Sequence, residues 1–72
     1  MKETSKIFHD LIELKARVDN IKKSPKQNEI SKTYGDCIQM EKRIDTLYAH
    51  PSRKIMVRII GKLLLELEKM NL

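Results

Sequence analysis

The chain has 72 residues, of which 40% are apolar and 35% charged, with a formal net charge of +5. That length allows one domain at most, of a size at which a single core stabilises only marginally without a metal, disulfides or self-association. The lone cysteine, Cys37, excludes an intrachain disulfide and a multi-cysteine zinc site.

From Glu3 to Lys23 the apolar residues Ile7, Leu11, Leu14, Val18 and Ile21 recur at alternating spacings of four and three, the signature of one helical seam. Phe8 and Ile12 lie beside that seam and widen it. Glu13 with Arg17, and Asp19 with Lys23, are acid-then-base pairs at i, i+4, each contributing a few tenths of a kcal/mol on an exposed face. At the following boundary Ser24 is suited to cap a second helix, Pro25 to occupy its first position, and Gln27 to complete a capping box. The second seam reads Ile30, Thr33, Cys37, Met40, Ile44 and Leu47, with Tyr34 and Tyr48 alongside and Gly35 opposite. His50-Pro51-Ser52 ends that helix, because a residue before proline is pushed out of the α region, and His50 or Ser52 caps the third.

The third segment, Pro51 to Leu72, is the most apolar part of the chain. At about 100° per residue, Ile55, Met56, Ile59, Ile60, Leu63, Leu64, Leu67 and Met70 fall on one side of a helix, Val57 extends that side, and Leu65 falls among polar residues opposite. The arc covers about half the circumference, wider than the stripe of roughly 100° that a helix on a globular core requires. The charge order is also reversed with respect to the helix dipole: Arg53, Lys54 and Arg58 come first, Glu66 and Glu68 last. Lys54, Arg58 and Lys62 recur every four positions and form a basic stripe. This stripe is either an anion-binding surface assisted by the free amides of a helix start, or a solvated face whose bases pair with neighbouring acids such as Glu41 and Asp45.

These patterns predict an all-α, antiparallel three-helix bundle with helices over about 3–23, 25–49 and 52–70. Aromatics are limited to Phe8, Tyr34 and Tyr48, so the core is expected to be aliphatic, with Met1, Met40, Met56 and Met70 as adaptable fillers. No apolar run approaches the roughly 18 residues of a membrane span, since Lys62 interrupts the best candidate, and no signal-peptide core opens the chain. A cytoplasmic location is expected.

Chemistry-bearing constellations are sparse. His9 and His50 stand on different elements, without the paired histidines and intervening glutamate of a helical zinc site. His9, Asp10 and Glu13 can be drawn as an acid–base group, yet acids near a histidine are common on helix surfaces. Cys37 reads as a small core residue, and Gly35 and Gly61 are isolated, so no glycine-rich phosphate loop exists. The expectation is a protein without catalytic, cofactor-binding or metal-binding residues. It would bind partners through Val57, Ile60, Leu64 and Leu65, self-associate as a symmetric dimer through the third helix, and steer an acidic partner or bind an anion with Arg53, Lys54, Arg58 and Lys62. A dimeric nucleic-acid-associated regulator is the alternative, although the most basic helix is also the most apolar and exposed aromatics near the stripe are few. Peripheral contact with a membrane surface, with Leu65 inserted among the bases, is a further alternative.

Four stretches taken together resemble the small cytosolic immunity proteins that protect bacteria from pediocin-like bacteriocins. They are Lys6-Ile7-Phe8-His9-Asp10-Leu11 opening the first helix, Lys23-Ser24-Pro25-Lys26 at the turn, Ile30 to Asp45, similar to a lysine-rich second helix, and Arg58-Ile59-Ile60-Gly61-Lys62-Leu63-Leu64, similar to an apolar third helix. The resemblance covers most of the chain. It implies an antiparallel four-helix bundle that engages the bacteriocin-bound sugar-uptake receptor at the membrane. This chain departs from that pattern in stopping at Leu72, where the family continues into a fourth helix and a tail associated with specificity. A relative shortened there would leave the apolar arc of its third helix uncovered.

Overall fold

The first seam folds as its spacing predicts. In the computed structural model, which describes residues 2–70 with side chains from Thr4 to Met70, helix α1 runs over Lys2–Lys23 and buries Ile7, Leu11, Leu14, Val18 and Ile21. Lys22 and Lys23 occupy its last turn, where a positive charge meets the negative end of the helix dipole. Met1, expected among the methionine fillers, lies outside the described residues.

The boundary after α1 differs from the expected capping box. The Ser24 amide donates to the carbonyls of Asn20 at 3.4 Å and Ile21 at 3.2 Å, so Ser24 closes α1 and does not cap the next helix. Helix α2 spans Gln27–Asp45, and its N-cap is Lys26 in an extended conformation (φ −130°, ψ 129°) with no side-chain capping bond. Its opening hydrogen bond runs from the Ile30 amide to the Lys26 carbonyl at 2.9 Å. Pro25 has no amide to donate and holds the preceding residue out of the α region, which separates the two helices.

Helix α2 also stops four residues short of the expected end near 49. The amides of Thr46 and Leu47 donate to the carbonyls of Arg43 and Ile44 at 3.2 and 2.9 Å, i→i−3 bonds that tighten a last turn. The Thr46 hydroxyl donates to the same Arg43 carbonyl at 2.6 Å. Helix α3 spans Arg53–Met70. At its start the two expected caps divide the work: His50 Nδ1 accepts from the Ser52 amide at 3.1 Å, and the Ser52 carbonyl accepts from the Met56 amide at 3.1 Å.

Cross-helix pairs set the topology. Asp10 meets Arg43 and Arg17 meets Asp36, so α1 and α2 run antiparallel. Asp45 meets Arg53 and Tyr34 meets Glu68, so α2 and α3 do the same, while Lys22 meets Glu66 at the shared C-terminal ends of α1 and α3. All three helix pairs are in contact. The result is the expected three-helix bundle, 36 × 17 × 15 Å, with no strand among the described residues. Its long dimension matches one helix of about 33 Å, from 1.5 Å per residue. No described helix is long and apolar enough to cross a membrane.

The core is one layer of side chains between three seams. Ile30, Cys37, Met40 and Ile44 of α2 and Met56, Ile60, Leu63, Leu64 and Leu67 of α3 close on the seam of α1, with Ile38, Leu47, Ile59 and Met70 partly buried against them. Thr33 is the buried polar member, and its hydroxyl accepts from Arg17 Nη2 at 3.1 Å. Burial pushes the Cys37 thiol up to about 11, as desolvation of a thiolate requires.

Gly35 and Gly61 sit inside α2 and α3 with nothing within 4 Å of an added Cβ and no positive φ. Gly35→Ala and Gly61→Ala are therefore each expected to stabilise the fold by about 1 kcal/mol. Thermal unfolding followed by circular dichroism should show each midpoint rising by several degrees, and a fall would mean that these positions carry a contact absent from the structure. Cys37 is expected to resist alkylation by iodoacetamide at pH 8 in the folded protein and to react readily in denaturant. Equal rates in the two conditions would contradict its burial.

Candidate functional site

The four apolar residues expected to form one contact surface on α3 do not share a surface. Ile60 is wholly enclosed and Leu64 is 9% exposed, because both lie within the face of roughly 100° that they share on α3 with Met56, Leu63 and Leu67. Both belong to the core, which corrects their assignment to a docking face. Val57 and Leu65 are exposed but separate. Eight residues apart, they stand about 12 Å apart along the axis and roughly 80° apart around it. Val57 lies one turn after Arg53, on the side facing α2. Leu65 points away from the bundle among Arg58 and Lys62.

The basic residues also divide. Arg53 Nη2 pairs with Asp45 Oδ1 at 3.1 Å, the expected neutralisation by a neighbouring helix, while its buried Nε has no partner. Lys54, Arg58 and Lys62 are exposed, and among the described residues none has an ion pair. They form a row along the outer face and do not converge on a point. Two amides near the start of α3 are already taken: Ser52 by His50 Nδ1 and Arg53 by the His50 carbonyl at 3.1 Å. The anion-binding nest imagined at this helix start is therefore partly filled by the chain itself.

The structure gathers exposed apolar surface elsewhere. Phe8 is 42%, Ile12 53% and Ile55 58% exposed, and Phe8 and Ile55 line one recess of about 310 Å³ with Thr4, Ser5 and His50 at the N-terminal ends of α1 and α3. Further along the same pair of helices, Ile59, Lys62 and Leu63 of α3 face Lys15, Asp19 and Lys22 of α1 around a second recess of about 230 Å³. Phe8 and Ile55 thus border the first recess and Ile59 the second, while Ile12 lies on the outer face of α1 and borders neither. The sequence signal for the first recess was the position of Phe8 just off the first seam.

Around His9 the geometry is that of a helix-to-helix ion pair. Arg43 Nη1 lies 3.0 Å from Asp10 Oδ2, and His9 Nδ1 lies 3.8 Å from Asp10 Oδ1. The hydrogen bond from Arg43 holds the Asp10 carboxyl below its ordinary value of 3.8, against a smaller opposing effect of burial. His9, Asp10 and Glu13 are the described residues able to place three donor atoms around one ion, within 4.8 Å of one another. Asp10 is already committed to Arg43 and the His9 side chain is 73% exposed, an open surface without the enclosure that excludes water from a reacting group.

Two further bonds tie α3 to its neighbours and perturb their donors. Lys22 Nζ donates to Glu66 Oε2 at 2.6 Å, which raises the lysine's pKa. The Tyr34 hydroxyl donates to Glu68 Oε2 at 2.9 Å, which raises the phenol's. Lys22 pairs Glu66 with a positive charge, whereas Tyr34 gives Glu68 a neutral donor only. No family model, curated protein or solved structure matches the chain.

Because the folded-state value of Asp10 lies below its unfolded value, the Asp10–Arg43 pair contributes fully above pH 3.8 and its contribution disappears as pH falls through the folded-state value. Arg43→Gln should raise the Asp10 midpoint in a carboxyl-detected NMR titration. An unchanged midpoint would show that Arg43 does not engage Asp10 in solution.

Proposed function

We propose that this protein is a non-enzymatic helical module that binds a protein partner, in the manner of a bacteriocin immunity protein. The observation that carries the reading is the exposure of Phe8 and Ile55 around one recess between α1 and α3. A chain this short gains little by leaving large aliphatic side chains in water on adjoining helices, and clustered exposure of this kind marks interaction surfaces. The resemblance to immunity proteins supplies the most concrete partner: a membrane receptor in its bacteriocin-bound state. Self-association through the outer face of α3 is the weaker form of the proposal, since Ile60 and Leu64 lie inside the protomer and Val57 and Leu65 stand apart.

A second reading, as a nucleic-acid-associated protein, draws on the unpaired row of Lys54, Arg58 and Lys62 and on the exposed Tyr48 in the preceding connection. It requires binding that weakens steeply with salt. A labelled oligonucleotide left unretarded at low salt excludes it.

Expression of the chain in strains sensitive to pediocin-like bacteriocins tests the first reading. The wild type is expected to restore growth against at least one bacteriocin of a panel, and a Phe8→Glu/Ile55→Glu variant, confirmed as folded by circular dichroism, is expected to lose that protection. Unchanged killing by every member removes the immunity role. Equal protection by the variant removes the groove from it.

A further inference from the structure

At about 100° per residue, the side of α3 opposite its buried face is an arc of about 100° that holds Lys54, Ile55, Arg58, Lys62, Leu65 and Lys69, and every one of them is exposed. The arc therefore consists of bases and large aliphatics alone, with Ile55 58% and Leu65 51% exposed. Among the described residues none of its bases has an ion pair. The acids of α3 stand outside the arc: Glu66 pairs with Lys22 of α1 at 2.6 Å, and Glu68 accepts from the Tyr34 hydroxyl of α2 at 2.9 Å. From Lys54 to Lys69 the row runs about 22 Å along the axis, at 1.5 Å per residue. Ile55 and Lys62 reach the recesses beside α1 at one edge of the arc, while Lys54, Arg58, Leu65 and Lys69 stand on the convex back of the helix.

We propose that this face docks the protein on an anionic phospholipid surface, with α3 lying in the plane of the headgroups. Lys54, Arg58, Lys62 and Lys69 meet lipid phosphates, and Ile55 and Leu65 enter the boundary between headgroups and acyl chains. The inference goes beyond the partner-binding reading and does not rest on it. Charge and shape select the occupant. A straight row of unpaired bases that does not converge on a point fits a plane of many anions better than one bound phosphate, and a cluster of Lys and Arg on an amphipathic helix is a signal of anionic lipid. The convex back of a helix also suits a plane. The long stems of Lys and Arg lie along the apolar layer that takes up Ile55 and Leu65, while their charged heads stay with the phosphates. A nucleic acid would match the charge but leave both aliphatics unmatched, and the arc holds no aromatic on which a base could stack. A second copy would set one basic row against another, and like charges across an interface disfavour association.

The test is co-sedimentation of the 72-residue chain with vesicles of phosphatidylcholine alone, or of phosphatidylcholine with an equal part of phosphatidylglycerol. Binding to the anionic vesicles at low salt is expected to be tighter by about tenfold or more, weakening as salt is added. Arg58→Glu/Lys62→Glu should weaken it by about tenfold or more. Lys32→Glu/Lys42→Glu, an equal change of net charge at exposed positions of α2, should weaken it far less. Because the chain has no tryptophan, Leu65→Trp reports insertion independently of the glutamate variants: on anionic vesicles its emission should shift to the blue and be quenched by lipids with brominated chains. Equal binding to both vesicles, no binding to either, equal losses in the two glutamate pairs, or an unmoved tryptophan on bound protein would overturn the proposal. So would retardation of a labelled oligonucleotide at a salt concentration that releases the anionic vesicles, since nucleic acid would then be the occupant. Protection against a bacteriocin by a chain that binds no vesicle would overturn the lipid contact while leaving the partner-binding role standing.

Discussion

The structure depends on how far α1 and α2 wrap around α3. Ile60 and Leu67, both wholly buried, lie deepest, and the flanks of α3 are tied down on both sides by polar contacts: Arg53 with Asp45 and Glu68 with Tyr34 towards α2, Glu66 with Lys22 towards α1. A core one side chain deep leaves little redundancy. Removing the greater part of a wholly buried aliphatic side chain such as Ile60 or Leu67 costs about 2–5 kcal/mol, a large share of the stability available to a domain of this length. The apolar residues left outside this wrapping are those one position off a seam. Of these, Phe8 of α1 and Ile55 of α3 fall on facing flanks.

This geometry accounts for what could and could not be read from the residues. The seams of α1 and α2 were legible because their spacing alternates strictly between three and four, and every residue assigned to the α1 seam is buried. The ends of α2 were less legible. Ser24 has the chemistry of a cap, but its backbone is used to close α1, and the stop at Asp45 arises from a tightened turn that no proline or glycine announces. The α3 arc is wider than the face its neighbours cover, as its sequence implies, since Ile55 and Val57 stay exposed, but Ile60 and Leu64 fall inside the core. How much of a helix its neighbours cover depends on how closely they approach, and periodicity along one chain carries no information about that distance.

The candidate surface shifted for the same reason. Periodicity on α3 alone selected Val57, Ile60, Leu64 and Leu65, residues that share a helix but not an exposed face. The exposed recess is a property of two helices, with Phe8 from α1 and Ile55 from α3 brought together by the parallel course of elements separated by α2. Residues on each helix that look like the edge of a core become, between helices, a trough. The basic row was legible in the sequence as a stripe of period four. Among the described residues no ion pair engages Lys54, Arg58 or Lys62.

The central claim is that Met56, Ile60, Leu63, Leu64 and Leu67 of α3 are covered within one molecule, while Ile12 and Ile55 are left uncovered. Methyl relaxation enhancement by a soluble, uncharged paramagnetic probe, measured on the dilute protein, tests it most directly. The account predicts strong enhancement at the methyls of Ile12 and Ile55 and almost none at those of Ile60 and Leu67. Enhancement at Ile60 comparable to that at Ile55, or protection of Ile12 and Ile55 in the isolated molecule, would contradict it.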